Sequence, residues 1–347
     1  MQFSFAKRSS AADYLLLFMV SAAASVLLTR FYLFLFDYPQ ITRGNIHVAH
    51  VIFGGVFLSI GNLLLLSTHG RKSRQFAATI SGLGFGLFID ELGKFITQDN
   101  NYFYRPVPML IYLCFIFLFF IYRYLNEYTP LHPREILYEV LEELEEVAEG
   151  KFFPANKKRL LFWLNKLKAE KTIRFQVFGV GIQNVIDQLT VNSLPKPKQY
   201  LQKIKSSWRW LDEFTTERRP VFYFLILIFI LYIAITSGSI ASFLFNLTNK
   251  HFDKLKFRAV TSFDWFMICG LFFTQLWSTL LMIRGLFFLI SRKRARALAL
   301  FRNGLAVNIL MTQAFTFYFE QFSAIIELLV ILSLFTIVHN IIEDELV

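Results

Sequence analysis

Stretches of about 20 apolar residues alternate with short polar segments along most of the 347-residue chain. At 1.5 Å per residue, a helix of that length covers about 30 Å, the thickness of the hydrocarbon core of a bilayer. Only 18% of the residues are charged and 55% are hydrophobic, whereas about a quarter of an ordinary soluble domain is charged. The alternation therefore predicts an all-α fold, a polytopic transmembrane helical bundle, rather than a soluble domain.

The apolar runs define about eight spans and one long interruption. The predicted spans cover residues 12–36, 46–67, 76–97, 108–124, 220–243, 263–290, 305–318 and 322–339. Between the fourth and fifth spans, prolines separate polar segments whose apolar residues recur at helical spacing. We therefore predict three domains. They are an N-terminal four-span transmembrane bundle at residues 1–125, a helical cytoplasmic insert at 126–219 and a C-terminal four-span transmembrane bundle at 220–347.

The insert combines an acidic helix with a basic segment that contains tryptophans. Leu137 and Val140 belong to an apolar stripe and glutamates cover the other faces, which predicts a solvated amphipathic helix that ends at Gly150. Farther along, basic residues surround aromatic ones such as Trp163, a combination typical of membrane interfaces. RNA and the acidic helix itself are alternative partners for this segment, although no RNA-binding signature is present. Residues 172–189 fit either a strand or a helix.

The formal net charge of +11 also bears on the partners of the chain. Most of the basic residues flank apolar spans or lie in the insert, which favours contact with anionic headgroups over contact with nucleic acid. The expected partner is therefore the lipid bilayer, and no nucleic acid is expected. Self-association into a homo-oligomer stays open.

The distribution of basic residues predicts the topology. The connections at residues 69–74 and 292–302 are basic, as is the insert, so the positive-inside rule assigns all three to the cytoplasm. Both termini then lie on the same side, in the plasma membrane of a bacterial-type cell. The basic segment at residues 250–258 falls on the outer side in this topology and argues against it.

Two histidines and two acids lie near one end of the second and third spans. Ionisable groups in apolar spans usually face a bundle interior, a partner or an aqueous cavity. His47 and His50 are three residues apart, about 60° around a helix, so both imidazoles can address one neighbour. Counted from the outer membrane face, His50 lies about 6 Å deep and Glu91 about 9 Å deep. Because the spans are joined by a short connection, we expect His47 and His50 to meet Asp90 and Glu91 in the outer leaflet.

Imidazoles and carboxylates together suit zinc or another divalent metal ion. A catalytic zinc commonly has three protein ligands and a water that becomes the nucleophile. In this interpretation His47, His50 and Glu91 ligate the metal, and Asp90 acts as a general base or orients a ligand. Asp90 and Glu91 are then the catalytic residues.

The same residues also fit two other interpretations. In a purely structural one, Lys94 neutralises an acid within its own helix and Arg30 neutralises the other. In the other, the acids and histidines form a proton or ion pathway, because such side chains are the usual proton relays of membranes.

Glycines in the second and third spans predict close helix packing. Gly82 and Gly86 have the small-xxx-small spacing that lets transmembrane helices approach each other, and Gly54 and Gly55 offer a similar surface. The glycine run at residues 82–86 is not a nucleotide-binding loop, because no strand precedes it.

Three sequence segments resemble one group of proteins. They are HVAH at residues 47–50, GLGFGLFIDELGKF at residues 82–95 and DNNYFYRP at residues 99–106. Together they resemble segments of bacterial multipass integral-membrane proteins. The resemblance implies that His47, His50, Asp90 and Glu91 act as one unit, but it implies no substrate, cofactor or mechanism.

Three functions are consistent with these observations. The first is a membrane-embedded, metal-dependent hydrolase or transferase that acts on a lipid or envelope substrate. The second is a proton- or ion-coupled transporter in which Asp90, Glu91 and Lys94 change protonation. The third is a non-enzymatic membrane assembly component that acts through the helices of the insert.

Overall fold

The computed structural model describes most of the chain and is almost entirely helical. It describes residues 8–36, 42–43, 46–47, 50–96, 104–127, 131–148, 150, 152–170, 172–188, 226–238, 240–241 and 261–346. Within them, strand is confined to the antiparallel pair β1 (Thr42–Arg43) and β2 (Ile46–His47). The all-α class expected from the sequence is confirmed.

The described part of the chain includes thirteen α-helices. The earlier helices are α1 (Ala11–Leu35), α2 (His50–Ser67), α3 (Arg71–Asp90), α4 (Leu92–Ile96), α5 (Pro106–Asn126), α6 (Pro133–Ala148), α7 (Pro154–Lys168) and α8 (Ile173–Asp187). The later helices are α9 (Ile226–Gly238), α10 (Ser262–Ile290), α11 (Arg294–Val307), α12 (Gln313–Glu320) and α13 (Ala324–Leu346). A π-helical turn, Asn308–Thr312, joins α11 to α12, and a 3₁₀ turn, Gln321–Ser323, precedes α13.

Several helical segments have the length and composition of membrane spans. Four meet both criteria, namely Ala11–Leu33, Pro106–Asn126, Ser262–Ile290 and Arg294–Glu343. Two shorter apolar helices are Val51–Ser67 and Ile226–Gly238. These helices make the chain a membrane protein of the helical class, and the number of eight spans stays a prediction.

The chain divides into two compact units. The first comprises residues 1–102 and 117–205, and the second comprises residues 103–116 and 206–347. The first unit therefore includes α1, α2 and α3 together with the helices of the insert, whereas the residues of α5 are divided between the two units. The three domains expected from the sequence stay a prediction.

Glycines bring α1, α2 and α3 together in the first unit. A Cβ atom at Gly86 would lie 2.4 Å from the Ala22 carbonyl oxygen of α1, closer than real Cβ atoms approach. On the α2 side, a Cβ atom at Gly84 would lie 2.7 Å from the Gly54 carbonyl oxygen. Close packing through Gly54, Gly82 and Gly86 is thus confirmed, because only hydrogen fits at such contacts. Gly55 faces open space and takes no part in it.

The insert forms a small core of its own. Helices α6, α7 and α8 pack around buried apolar side chains, namely Ile136, Val140, Phe152, Leu160, Leu164, Leu167 and Ile186. Gly150 follows the end of α6 with a φ of 73°, a left-handed conformation that glycine adopts readily, which confirms it as a helix stop. The ambiguity over residues 172–189 is resolved, since Ile173–Asp187 is a helix.

The second unit has a hydrophobic core formed by four of its helices. Its fully or nearly buried side chains come from α9, α10, α11 and α13, and include Phe229, Met282, Phe301, Leu305 and Ile331. Thr261 and Asp264 form a capping box that starts α10, and the Tyr318 hydroxyl donates to Asp264 over 2.6 Å. This bond ties α12 to the start of α10.

Candidate functional sites

Asp90 of α3 is fully buried and forms an ion pair with Arg30 of α1. The Arg30 Nε donates to Asp90 Oδ1 over 2.6 Å, and the Arg30 Nη2 donates to the Asp90 carbonyl oxygen over 3.1 Å. The Arg30 side chain is itself only 12% exposed. The guanidinium therefore balances the buried carboxylate and connects two helices, as the structural interpretation of the sequence expected for one acid.

Glu91 immediately follows α3 and is also fully buried. The backbone N–H of Val51 donates to Glu91 Oε2 over 3.4 Å, so this carboxylate lies at the first turn of α2. A negative charge is favourable there because the first N–H groups of a helix are unpaired and carry partial positive charge. The end of α3 and the start of α2 thus come together, as expected for antiparallel neighbours.

The two histidines do not share a helix, which corrects the sequence analysis. His47 pairs with Thr42 in the two-stranded sheet, whereas His50 is the first residue of α2. The predicted 60° separation is therefore wrong, because the chain forms a short hairpin before α2 begins and strand geometry replaces helical geometry at His47. The imidazoles of both histidines, and the Lys94 side chain, lie outside the described residues. Their meeting with Glu91 stays a prediction.

The described residues contain no group of three or more His, Cys, Asp or Glu side chains that could hold a metal. Of the expected ligands His47, His50 and Glu91, only Glu91 has a described side chain. The zinc interpretation therefore rests on the two imidazoles and stays a prediction.

A second polar cluster, in the other unit, was missed by the sequence analysis. We call it the buried polar turn: Tyr232 of α9, Asn308 and Thr312 of the π-helical turn, Gln313 of α12 and Glu327 of α13. Asn308 and Gln313 are 0% exposed and Thr312 is 1% exposed. The Asn308 amide donates to the Tyr232 hydroxyl over 2.6 Å, and the Gln313 amide donates to Asn308 Oδ1 over 3.2 Å. The Gln313 amide also lies within hydrogen-bonding reach of the Glu327 carboxylate.

Two acceptors in the buried polar turn are unpaired. Gln313 Oε1 and Thr312 Oγ1 are buried and have no hydrogen-bond partner among the described residues. A buried acceptor without a partner costs about 1–3 kcal/mol, so it usually indicates a bound water, ion or ligand. The π-helical turn adds a second indication, because such turns often occur at functional sites. Within this turn, the Ile309 carbonyl oxygen accepts a hydrogen bond from the Tyr112 hydroxyl.

Part of this cluster was detectable from spacing. Asn308, Thr312 and Thr316 are four residues apart and therefore lie along one face of a regular helix, within an otherwise apolar stretch. The apolar pattern of this stretch instead predicted a short seventh span at residues 305–318. The helix is longer, because the arginine-rich segment before it continues α11 back to Arg294.

In the first unit, the acidic helix α6 contacts a basic residue before α1 and basic residues at the start of α3. We call these contacts the insert joint: Arg8, Arg71 and Arg74 with Glu142 and Glu143. The Arg74 Nη2 lies 2.8 Å from Glu142 Oε1, Arg8 Nε lies 3.2 Å from Glu142 Oε2, and Arg71 Nη1 lies 3.7 Å from Glu143 Oε1. Asp90 and Glu91 lie at the other end of α3.

The insert joint corrects the expectation that the glutamates of α6 are solvated. Glu139 and Glu143 are only 7% and 6% exposed, and Glu139 accepts a bond from the Ser9 backbone N–H over 2.6 Å. Periodicity identified the polar face of α6 but not the cations that cover it. Burial disfavours the charged form of Arg74, yet hydrogen bonding with Tyr14 and the nearby Glu142 carboxylate outweigh burial and raise its pKa above the ordinary value.

Comparison with known proteins adds no further assignment. No protein-family model matches this chain, and neither a curated protein nor a solved structure matches it. The function is therefore inferred from the contacts of the described residues.

Proposed function

We propose that the protein is a proton- or ion-coupled transporter and that the buried polar turn is the place where the proton or ion binds. The observation that carries this proposal is the pair of unpaired, buried acceptors, Gln313 Oε1 and Thr312 Oγ1, beside a network that includes Glu327. Buried ionisable and polar groups are costly in membrane helices and typically mark ion pathways. A bound cation would satisfy acceptors that the described residues leave unpaired.

The chemistry of the turn suits a proton or a hard cation. Its side chains supply hydroxyl, amide and carboxylate oxygens, the ligands that hard cations prefer. Glu327 supplies a negative charge that a proton or a cation would balance, and the charge of Glu320 acts on it from nearby. Interrupted membrane helices bind sodium ions or protons in a similar way, through loosened backbone carbonyls and nearby side chains.

We also propose eight spans with both termini in the cytoplasm of a bacterial-type cell. The continuous helical segment from α11 through the π-helical turn to α12 supports the seventh span, because 27 residues cover about 40 Å. The insert joint supports a common side for the insert and the connection between α2 and α3. The acid pair lies at the other end of α3, about 28 Å from Arg71 along the helix.

Transport would be tested with purified protein in liposomes. Uptake of sodium, of potassium and of protons would be measured under imposed gradients, for the wild type and for Glu327→Gln. The matched control is Glu343→Gln, which removes a 66% exposed carboxylate from the same helix. We expect flux of one of these ions to be lost in Glu327→Gln and kept in Glu343→Gln. Wild-type liposomes no more permeable than protein-free liposomes to all three ions, together with a melting temperature that depends neither on these cations nor on pH, would refute the proposal.

A metal-dependent hydrolase or transferase is the second candidate. It is favoured by the contact of Glu91 with the first turn of α2, since that turn begins at His50. Metal analysis of the purified protein tests this candidate. A stoichiometric divalent ion that disappears in His50→Ala would support it, whereas folded, metal-free wild type with no gain of metal on incubation with zinc would exclude it.

A further inference from the structure

Helix α8 of the insert carries an exposed apolar surface. We call it the α8 face: Ile173, Val177, Phe178, Val180 and Val185. The exposed fractions of Ile173, Val177 and Val180 are 74%, 66% and 53%, and those of Phe178 and Val185 are 47% and 56%. At 100° per residue these five side chains fall within about half of the helix circumference. They therefore lie on one side of α8, an arc that also contains the exposed Arg174 and Asn184.

The opposite side of α8 is fixed against the insert. Ile186 is fully buried in the core shared by α6, α7 and α8. A Cβ atom at Gly179 would lie 2.6 Å from Cγ of Lys168, so α8 lies close against α7. The α8 face consequently points away from the core of the insert. An exposed apolar patch of this kind on an extramembrane helix usually marks a protein or membrane contact.

Basic and aromatic residues of α7 indicate which of these contacts applies. Helix α7 has five basic residues and no acidic residue: Lys157, Lys158, Arg159, Lys166 and Lys168. The Lys166 Nζ lies 4.6 Å from the ring centroid of Phe162, whose residue is 52% exposed, and 5.1 Å from that of Trp163. Lysines above aromatic rings, beside an apolar helix face, are the combination found in helices that lie in a membrane interface.

The position of the insert supports a membrane as the partner. The insert joint fixes α6 to Arg8, which precedes the membrane-spanning helix α1, and to Arg71 and Arg74 at the start of α3. The insert is therefore held beside the ends of these helices, where the headgroups of the surrounding lipid lie. A second copy of the chain would bring the same positive charge to the surface, whereas anionic lipid has the complementary charge.

We infer that α8 lies in the plane of the membrane interface, with the α8 face among the upper acyl chains and with Lys166 and Arg174 at the headgroups of anionic phospholipids. This surface goes beyond the proposed transport, because it assigns a lipid-binding role to the insert. It predicts that the surroundings of α8 depend on the lipid composition of the membrane.

The test uses the full chain in lipid nanodiscs, with Cys114→Ala and Cys269→Ala to remove the two native thiols. A cysteine introduced by Val177→Cys carries an environment-sensitive fluorophore. The nanodiscs contain either phosphatidylcholine alone or phosphatidylcholine mixed with phosphatidylglycerol. One quencher is a spin label attached to lipid chains, and the other is aqueous iodide. We expect the lipid-borne quencher to be effective in the mixed nanodiscs and iodide to be ineffective.

A charge-reversal pair identifies the contribution of the headgroups. Without charge reversal, the lipid-borne label should quench more strongly in mixed nanodiscs than in nanodiscs of phosphatidylcholine alone. The double substitution Lys166→Glu with Arg174→Glu should abolish this difference. Arg296→Glu, an exposed charge reversal outside the insert, should preserve it. Free access of iodide in both kinds of nanodisc would overturn the inference. Protection from both quenchers would also overturn it, because it would mean that protein, such as a second copy, covers the α8 face.

Discussion

The Nε atom of Arg30 lies 2.6 Å from Oδ1 of Asp90, and this pair joins α1 to α3. Removing one member of a buried pair leaves the other charge uncompensated, which is more costly than losing the pair as a whole. The same pair explains why Asp90 can be fully buried between α1 and α3.

Single substitutions at this pair should therefore destabilise the protein more than a double substitution. We expect Arg30→Met or Asp90→Asn to lower the free energy of unfolding by about 3 kcal/mol, and the double variant to recover much of it. Denaturant titration of the detergent-solubilised protein measures the effect. If the double variant lost as much unfolding free energy as the two single variants together, the two charges would act independently.

The glycine contacts of α3 give a prediction with a matched control. At Gly86, a Cβ atom would meet the backbone of α1 at Ala22, which cannot move aside as a side chain could. We expect Gly86→Ala to lower the free energy of unfolding by about 1–3 kcal/mol. Gly55→Ala should leave stability unchanged or raise it, since no atom lies within 4 Å of its Cβ position. Similar losses for both variants would contradict close packing as the reason.

The insert joint should depend on charge and on salt. Arg74→Ala should weaken the docking of α6 by about 2 kcal/mol, because Arg74 binds both Glu142 and Glu145. The exchange Arg74→Glu with Glu142→Arg should restore part of the loss. Limited proteolysis between α5 and α6, compared at low and high salt, reports the docking. Cleavage that is equally slow in wild type and Arg74→Ala would argue against the joint.

The pH dependence of the joint follows from the raised pKa of Arg74. A basic group whose pKa is raised on folding stabilises the folded state fully below its unfolded pKa and loses that contribution as the pH rises through the folded value. Since the ordinary pKa of arginine is already above about 12, Arg74 should contribute unchanged stability between about pH 7 and pH 10. The expectation would be contradicted if raising the pH from about 7 to about 10 made proteolysis faster in proteins that retain Arg74 but not in Arg74→Ala.

The sequence predicted what depends on composition and periodicity. It identified the helical membrane class, the small-residue packing of Gly82 and Gly86, and the balancing of one acid by Arg30 as one of its alternatives. It missed the hairpin at His47, because a two-residue strand pair is shorter than any periodic signal. It also missed the role of α6, since a glutamate-rich face has the same pattern whether water or arginine covers it. The π-helical turn was missed because one inserted residue changes hydrogen bonding without changing the apolar composition.

The buried polar turn leads to a binding prediction that is independent of flux. A ligand that binds only the folded protein stabilises it by about 2.7 kcal/mol at a hundred times its dissociation constant. If the ligand is sodium or potassium, the melting temperature in detergent should rise as that cation replaces choline at constant ionic strength. If the ligand is a proton, the melting temperature should depend on pH instead. Both effects require Glu327 for charge and Gln313 for an unpaired oxygen acceptor.

Variants of these two residues separate binding from general destabilisation. Gln313→Leu and Glu327→Gln should remove the dependence on cation or pH, even where their melting temperatures in choline are close to that of the wild type. Ser333→Ala removes only an exposed bond from Ser333 Oγ to the Leu329 carbonyl oxygen within α13 and should preserve the dependence. A wild-type protein with the same melting temperature in sodium, potassium and choline and across pH 5 to 9 would show that the two unpaired acceptors bind neither a cation nor a proton. The polar side chains of the turn would then serve only to hold α9, α12 and α13 together, because their mutual hydrogen bonds would be their whole contribution.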